Sequence, residues 1–183
     1  MREVINRIFL DYEKEEKWLN EMAVKGFALT DYFYIRYVFD KCEPGEYTYR
    51  IELLENHHGH PESKRYIAFM EESGAEHVAS YMRWVYFRMK TADGRFDIYS
   101  DTESKMMHYK RIRNFYAALS VMELTFTVSN LTMGINRSIY GTSIMFSYFV
   151  AGFLLIAFVF CATMSTKMHK KIKALTARRV INE

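Results

Sequence analysis

Apolar and polar positions alternate in short blocks over the first hundred residues and then give way to two long apolar runs. In the first part, Val4 to Leu10 mixes β-branched and aromatic residues and predicts a strand. Asp11 can cap a helix that follows. Glu13, Glu15 and Glu16 are then favourable near its positive end, Trp18, Leu19, Met22 and Ala23 form its apolar stripe, and Gly26 stops it. Phe27 to Phe39 reads as one long strand with Phe33, Ile35, Tyr37 and Phe39 on one face. Lys41 to Gly45 is turn chemistry, and Glu46 to Leu54 returns as its partner strand. Pro61 opens a second helix closed by Gly74. Val78 to Met89, the turn Asp93-Gly94 and Phe96 to Ser100 predict another hairpin. No internal repeat of sequence and no low-complexity run is visible. The order strand, helix, hairpin, helix, hairpin predicts an α+β domain over residues 1–104, a ferredoxin-like antiparallel sheet with two helices on one face. Trp18 is expected between the first helix and the sheet, and Gly26 is expected to have positive φ at the helix end.

The second part obeys another rule. No charged residue occurs from Ser138 to Thr166, so residues 142–165 exceed the ~20 positions a helix needs to cross a bilayer. Residues 114–136 form a second candidate, broken only by Glu123 among charged residues. The chain is therefore expected to end in a two-helix transmembrane hairpin. A basic juxtamembrane linker, 105–113, precedes the first span. An extracytoplasmic turn at 137–141 joins the two, and a basic tail covers 166–183.

Charge fixes the expected orientation. Residues 1–104 hold 14 Lys and Arg against 20 Asp and Glu, net −6, whereas residues 105–183 hold 11 against 2, net +9, so the overall +3 describes neither part. Lys105, Lys110, Arg111 and Arg113 flank the first span, and Lys167, Lys170, Lys171, Lys173, Arg178 and Arg179 follow the second, while the connection carries Arg137 alone. Cations collect on the cytoplasmic side, so both termini are expected inside a multi-pass cell-membrane protein. Lys110, Arg111, Arg113, Lys167, Lys170, Lys171 and Lys173 are candidate contacts to anionic lipid. Met168, Ile172 and Leu175 fall on one face of a tail helix that either lies on the headgroups or frays after a stop signal. The amino terminus is interrupted by charge every few residues and has no apolar stretch typical of a cleavable signal. Two cysteines, Cys42 and Cys161, cannot form a disulfide framework and suit a reducing compartment.

Within the first span, Ala117, Ser120, Glu123, Thr127, Asn130 and Gly134 lie along one helical stripe of small or polar residues. Such a stripe permits close backbone approach and interhelical hydrogen bonds. It is expected to face the second span or the same stripe of another copy, with a homo-oligomer as one outcome. An ionised carboxylate near the midplane costs at least ~2.5 kcal/mol, so Glu123 is expected to be neutral and hydrogen-bonded, as helix glue or as a sensing group.

Catalytic chemistry finds little support in the residue pattern. His57, His58 and His60 form the densest ligand cluster, with Glu55 or Glu62 as a fourth donor, but a solvated His-rich loop accounts for it, and no metal or cofactor is expected. Cys42 beside Glu43-Pro44-Gly45 lacks a base, and no glycine-rich phosphate loop occurs. The acids Glu71, Glu72, Asp97 and Asp101 suit helix ends and turns. The aromatic strands invite an RNA-binding reading, yet an acidic domain repels phosphates, and no nucleic-acid partner is expected.

Several runs together carry a resemblance: Asp11-Tyr12-Glu13-Lys14-Glu15-Glu16-Lys17-Trp18-Leu19-Asn20-Glu21-Met22-Ala23, Lys25-Gly26-Phe27, Tyr47-Thr48-Tyr49-Arg50-Ile51-Glu52, Trp84-Val85-Tyr86-Phe87-Arg88 and Ile98-Tyr99-Ser100-Asp101 with Ser104-Lys105. Over roughly residues 8–113 the chain resembles an uncharacterised bacterial family, domain-of-unknown-function family twenty-eight twelve. The resemblance implies a cytoplasmic domain followed by membrane spans, with Trp18, Gly26, Tyr49, Arg50, Trp84, Tyr99, Ser100 and Asp101 as structural signature residues. It implies no catalytic residue. The expected function is thus a membrane-anchored, non-enzymatic regulatory or adaptor protein whose cytoplasmic domain binds a protein partner at the inner membrane face. The alternative is a small-molecule or membrane-stress sensor, or an accessory subunit of a transporter.

Overall fold

Asp11 holds extended backbone and its carboxylate accepts the Glu13 amide, which starts helix α1 at Tyr12–Val24. Gly26, at φ +81°, ends that helix region and turns the chain into β2, Phe27–Phe33. The computed structural model describes residues 2–99, 101–139 and 145–182. It separates into two compact units, Met1–Ser100 and Asp101–Glu183. The first, the head, contains β1 (Glu3–Asn6), α1, β2, β3 (Arg36–Lys41), β4 (Tyr47–Leu53), α2 (Pro61–Glu72), β5 (Glu76–Tyr81) and β6 (Trp84–Lys90). The second contains α3 (Thr102–Ile139) and α4 (Met145–Asn182).

The head is α+β with antiparallel pairing, but hydrogen bonding divides the strands into two three-stranded sheets instead of one. Their orders are β1-β3-β2 and β4-β6-β5. The same βαββ unit is therefore built twice, although the sequence shows no repeat. Equivalent positions in the two units lie 48 residues apart. The left-handed residues Tyr34 and Met82, the ladder irregularities at Leu29/Asp31 and His77/Ala79, and the positive-φ glycines Gly26 and Gly74 are all related by that offset. Met22 with Met70 and Phe39 with Phe87 are further identities at it.

Three expected strands change accordingly. Phe27–Phe39 is not one strand; it folds at Tyr34-Ile35 into the β2–β3 hairpin, with Phe33 paired to Arg36. Tyr37 and Phe39 are buried while Phe33 is 69% exposed, so these residues do not share one face. Val78–Met89 folds in the same way at Met82-Arg83, and β4 pairs with β6 instead of returning on β3. Both two-residue turns lack the glycine or asparagine that normally supplies positive φ, which is why neither was legible. Phe96 to Tyr99 is not the expected strand, and Ser100 lies outside the described residues. Phe96 is buried among Leu54, Met70, Ala75, Val85 and Phe87, with Ile98 packed alongside.

Helix α1 covers the first sheet. Trp18 is buried with its ring edge-on to Tyr37 and Phe39, centroids 4.9 and 5.7 Å away. Such aromatic pairs add about 0.5–1.5 kcal/mol beyond the apolar area they bury. The stripe Leu19, Met22 and Ala23 is buried beside it. Helix α2 instead covers the second sheet through Met70, Tyr66 and Ile67.

Asp101 accepts the Ser104 amide at 2.6 Å and starts α3, so the span 105–113 is helix, continuous with the apolar run. At the other end α3 continues through Ile139, so the expected turn begins in helix at Arg137; Tyr140 and Gly141 lie outside the described residues. Helix α4 also runs unbroken to Asn182. Met168 and Ile172 are buried, and Thr176 reaches Met106 of α3. Up to this point the Met168 and Ile172 face of the tail packs as helix on helix.

Candidate functional site

The densest polar cluster in the head gathers around Glu15, which the sequence reading had placed only as a favourable charge near the helix start. Its position on α1 faces inward, one turn before Trp18, and it is buried. Tyr37 of β3 and Tyr86 of β6 each donate a hydroxyl to Glu15 Oε1 at 2.7 Å. One carboxylate oxygen thereby fastens the first βαββ unit to the second. Tyr32 lies over both phenols, its ring 4.6 Å from each, and donates its own hydroxyl to the Tyr34 carbonyl at the hairpin tip. Burial raises the Glu15 pKa above the usual carboxylate range, offset in part by the two tyrosine hydrogen bonds. Burial likewise raises the Tyr37 and Tyr86 hydroxyls, with the neighbouring Glu15 adding to it. The shared Oε1 acceptor thus ties α1, β3 and β6 together.

A second set of contacts repeats the theme one turn further along α1. Asn20 pairs with both backbone groups of Tyr49, accepting its amide at 2.9 Å and donating to its carbonyl at 3.1 Å. Glu16 accepts the Ile51 amide at 2.9 Å and forms a 3.4 Å ion pair with Arg50. Helix side chains thus satisfy the outer edge of β4, an edge that would otherwise present free donors and acceptors. In return, the second unit satisfies the irregular point in β2. Tyr49 Oη accepts the Leu29 amide at 2.8 Å, and Arg88 donates to the Leu29 carbonyl at 3.1 Å. Burial pushes the Tyr49 hydroxyl up to about 12. Arg88 also pairs with Glu76 at 2.7 Å and lies over the Tyr47 ring. Trp84 stacks on Tyr12, ring centroids 5.4 Å apart.

Of the expected signature residues, Tyr49, Arg50 and Trp84 of the second unit therefore meet α1 at one seam of the head, whereas Trp18 packs within the first unit against Phe9, Tyr37 and Phe39. Gly26 stands apart, closing α1; a Cβ there would sit 3.0 Å from the Cys42 carbonyl. Asp101 caps α3 and Tyr99 is half-buried ahead of it. Sequence reasoning missed Glu15, Glu16, Asn20, Tyr37, Tyr86 and Arg88 as a group. Its available signal was polar residues on the apolar side of α1, at positions one turn from Trp18 and Leu19.

The histidine loop is engaged in backbone contacts. His58 Nδ1 lies 2.9 Å from the Met82 carbonyl, His60 Nδ1 caps the Glu62 amide, and the His57 ring rests on His58. Among the described residues, no group of His, Cys, Asp and Glu is arranged to hold a metal ion. Burial pushes the Cys42 thiol up.

In the helical unit, Ser120, Thr127 and Gly134 are buried, and Gly134 approaches Ser147 and Tyr148 of α4. The stripe thus faces α4. Its hydroxyls and amide bond within their own helix: Ser120 to the Tyr116 carbonyl, Thr127 to Glu123, and Asn130 to Phe126. The expected interhelical bonds through those three residues are replaced by this one-turn back-bonding, the local option open to short polar side chains in a helix. Glu123 alone of the set reaches across, with Cys161 Sγ at 3.7 Å from Oε1. Phe160 faces Tyr116 and Ser165 Oγ bonds the Arg113 carbonyl, so Cys161 lies nearer the Arg113 end than the Glu123 backbone does. The carboxyl reaches back about one helical turn, roughly 5 Å, toward that end. Lys171 lies over the Tyr109 ring, and Lys110 and Lys170 are exposed close to the same end.

The helices expose their large apolar side chains. Val121, Leu124, Phe126, Leu131, Phe146, Phe149, Phe153 and Ile156 face outward, the reverse of a soluble helical pair. Both Thr102–Asn136 and Met145–Ala177 are long and apolar enough to span a membrane.

A family model described as Protein of unknown function (DUF2812) matches residues 11–121. Neither the curated proteins nor the solved structures yield a match.

Proposed function

The chain belongs to the DUF2812 family, and on that premise we propose a membrane-anchored, non-enzymatic adaptor whose head binds a protein partner at the inner membrane face. In this reading α3 and α4 are a two-span hairpin with both termini cytoplasmic, since the basic residues collect at one end of the pair. Lys110, Arg111, Arg113, Lys167, Lys170, Lys171 and Lys173 would then stand at the anionic headgroups. The head that would carry this role is α+β, with helices on two three-stranded antiparallel sheets.

One observation carries the partner-binding part. β1 is an edge strand, and its counterpart in the second unit, β4, is an edge strand whose main chain is covered by Asn20 and Glu16 of α1. At positions 48 residues on from Glu16 and Asn20, α2 carries Lys64 and Ala68, which cannot accept amide hydrogens. Around β1, Val4, Ile8 and Leu10 are exposed apolar residues. An open strand edge with apolar neighbours suits an extended segment of another protein, added as a further strand. The Arg7 amide bonds Ile35 of β3, so alternation along the strand directs the amides of Val4 and Asn6 outward. Val4→Pro removes an outward donor and leaves the β3 ladder intact. Affinity capture from detergent-solubilised membranes should yield a stoichiometric protein with the parent chain and lose it with Val4→Pro. Capture unchanged by the substitution would sink the reading. The sensor alternative draws on Glu123 reaching Cys161; it requires that Glu123→Gln alter the response while the helix pair persists.

A further inference from the structure

We propose that the tips of the β2–β3 and β5–β6 hairpins form a membrane-resting surface, in which Phe33, Tyr34 and Met82 enter the headgroup boundary of an anionic bilayer and arginines beside them meet lipid phosphates. The two tips lie together: the Tyr81 ring is 5.8 Å from Phe33 and 6.1 Å from Tyr34. Phe33, Tyr34 and Met82 are 69%, 61% and 61% exposed, so most of each side chain faces solvent. Their backbone is also held in an unfavourable form, with φ at +60° for Tyr34 and +55° for Met82. Glycine or asparagine would fill either turn without strain, so a large apolar side chain at both points is local evidence for a role at the surface.

Charge selects the occupant. The head is acidic overall, yet at the tips Arg36, Arg83 and Arg7 stand against Asp31 and Glu55; Arg7 joins through its backbone bond to Ile35, and Glu55 follows Leu54, whose amide bonds the Arg83 carbonyl. Arg36 is exposed, Arg7 lies over the Phe9 and Trp18 rings, and Arg83 donates to the Leu54 carbonyl at 2.9 Å. Aromatic and methionine side chains rimmed by arginine match the interface of an anionic bilayer, where rings sit at headgroup level and guanidinium groups pair with phosphate. The bilayer is also the surface that the chain cannot leave, because the head ends at Ser100 and the helix that carries the first apolar run begins at Thr102. Tethering without a linker raises the effective concentration of the head at the membrane, so a few inserted side chains suffice.

This proposal rests on the membrane-anchoring part of the reading above and is independent of the strand-edge partner. Its test is nitroxide accessibility on the full chain, in a Cys42→Ser, Cys161→Ser background, reconstituted in vesicles of phosphatidylglycerol and phosphatidylcholine in equal parts. Labels are placed one at a time at Tyr34→Cys, Met82→Cys, Glu72→Cys and Phe149→Cys. At 34 and 82, collision with oxygen should exceed collision with a water-soluble nickel chelate, approaching the behaviour at 149 and opposite to that at 72. The preference should weaken in vesicles of phosphatidylcholine alone and with Arg36→Glu. Chelate-accessible labels at 34 and 82, beside an oxygen-accessible label at 149, overturn the tip proposal and leave anchoring intact. A chelate-accessible label at 149 overturns anchoring itself. Labels at 34 and 82 shielded from both reagents mean a protein covers the tips, which also overturns the proposal.

Discussion

The two βαββ units of the head share element order, sheet order, turn positions and the residues that end their helices, yet their helices live in different surroundings. Helix α1 is buried against its own sheet through Trp18, and it also reaches the second unit through Glu15, Glu16 and Asn20. Helix α2 covers its own sheet and leaves Phe69 60% exposed. The same backbone plan thus supports a central helix and an outer one, and side chains decide which is which. At the position of Glu15, the second unit has the buried Ser63, bonded to the nearby Asn56 carbonyl. At the position of Trp18 it has Tyr66, only partly buried, whose hydroxyl donates to Glu52 at 2.6 Å. Topology was copied and the fastening was not.

The largest expected break in that comparison is at the aromatic pair. Trp18→Ala removes a buried ring that touches Tyr37 and Phe39 and should cost about 3–5 kcal/mol. Tyr66→Ala, at the equivalent position but partly buried, should cost clearly less. Denaturant unfolding of the purified protein followed by Tyr and Trp fluorescence reads both, and equal losses would show that the two helices carry equal loads. Next comes the Glu15 cluster. Glu15→Ala orphans two buried tyrosine hydroxyls at about 1–3 kcal/mol each, whereas Ser63→Ala should stay near 1 kcal/mol.

Glu15 also makes the asymmetry dependent on pH. Its folded pKa is raised by burial, so the native state binds the proton more tightly than the unfolded chain does. Its contribution to stability is therefore full below the ordinary carboxylate value, falls as pH rises to the elevated folded value, and is flat beyond it. Glu16 shifts in the same direction from the same cause. Glu15→Gln should flatten part of this decline in unfolding midpoints measured across that window; an unchanged slope would mean that Glu15 does not titrate with folding. The smallest expected effect lies at the tips. Tyr34→Gly and Met82→Gly each relieve a left-handed backbone and should raise stability by about 1 kcal/mol while weakening contact with anionic vesicles. Here the two units should respond alike.

How far the fold could be read from sequence follows the same division. Both helices of the head, their caps at Asp11 and Gly26, and the long apolar helices were legible, because capping chemistry and hydrophobic periodicity are local signals. The hairpins were not. Tyr34-Ile35 and Met82-Arg83 lack turn residues, so each pair of strands read as one, and the doubled plan disappeared with them. Four identities at the 48-residue offset, Arg2 with Arg50, Met22 with Met70, Gly26 with Gly74 and Phe39 with Phe87, are too few to reveal a repeat without the backbone. The seam failed for another reason: Glu15, Tyr37 and Tyr86 are up to 71 positions apart, and their meeting depends on both sheets being in place. In the helical unit, the polar stripe was legible from its spacing. The direction of its hydrogen bonds was not, since a serine, threonine or asparagine in a helix can turn to its own backbone as readily as to a neighbour.

Anchoring by a two-span hairpin with both ends inside is the claim on which the functional account stands, and topology in living cells tests it most directly. A single cysteine at Ser138→Cys, in a Cys42→Ser, Cys161→Ser background, should react with a membrane-impermeant maleimide applied to intact cells. A reporter active only in the cytoplasm, fused after Glu183, should function in the same cells. A protected cysteine, or a silent reporter on a protein present at normal level in the membrane fraction, would contradict the account.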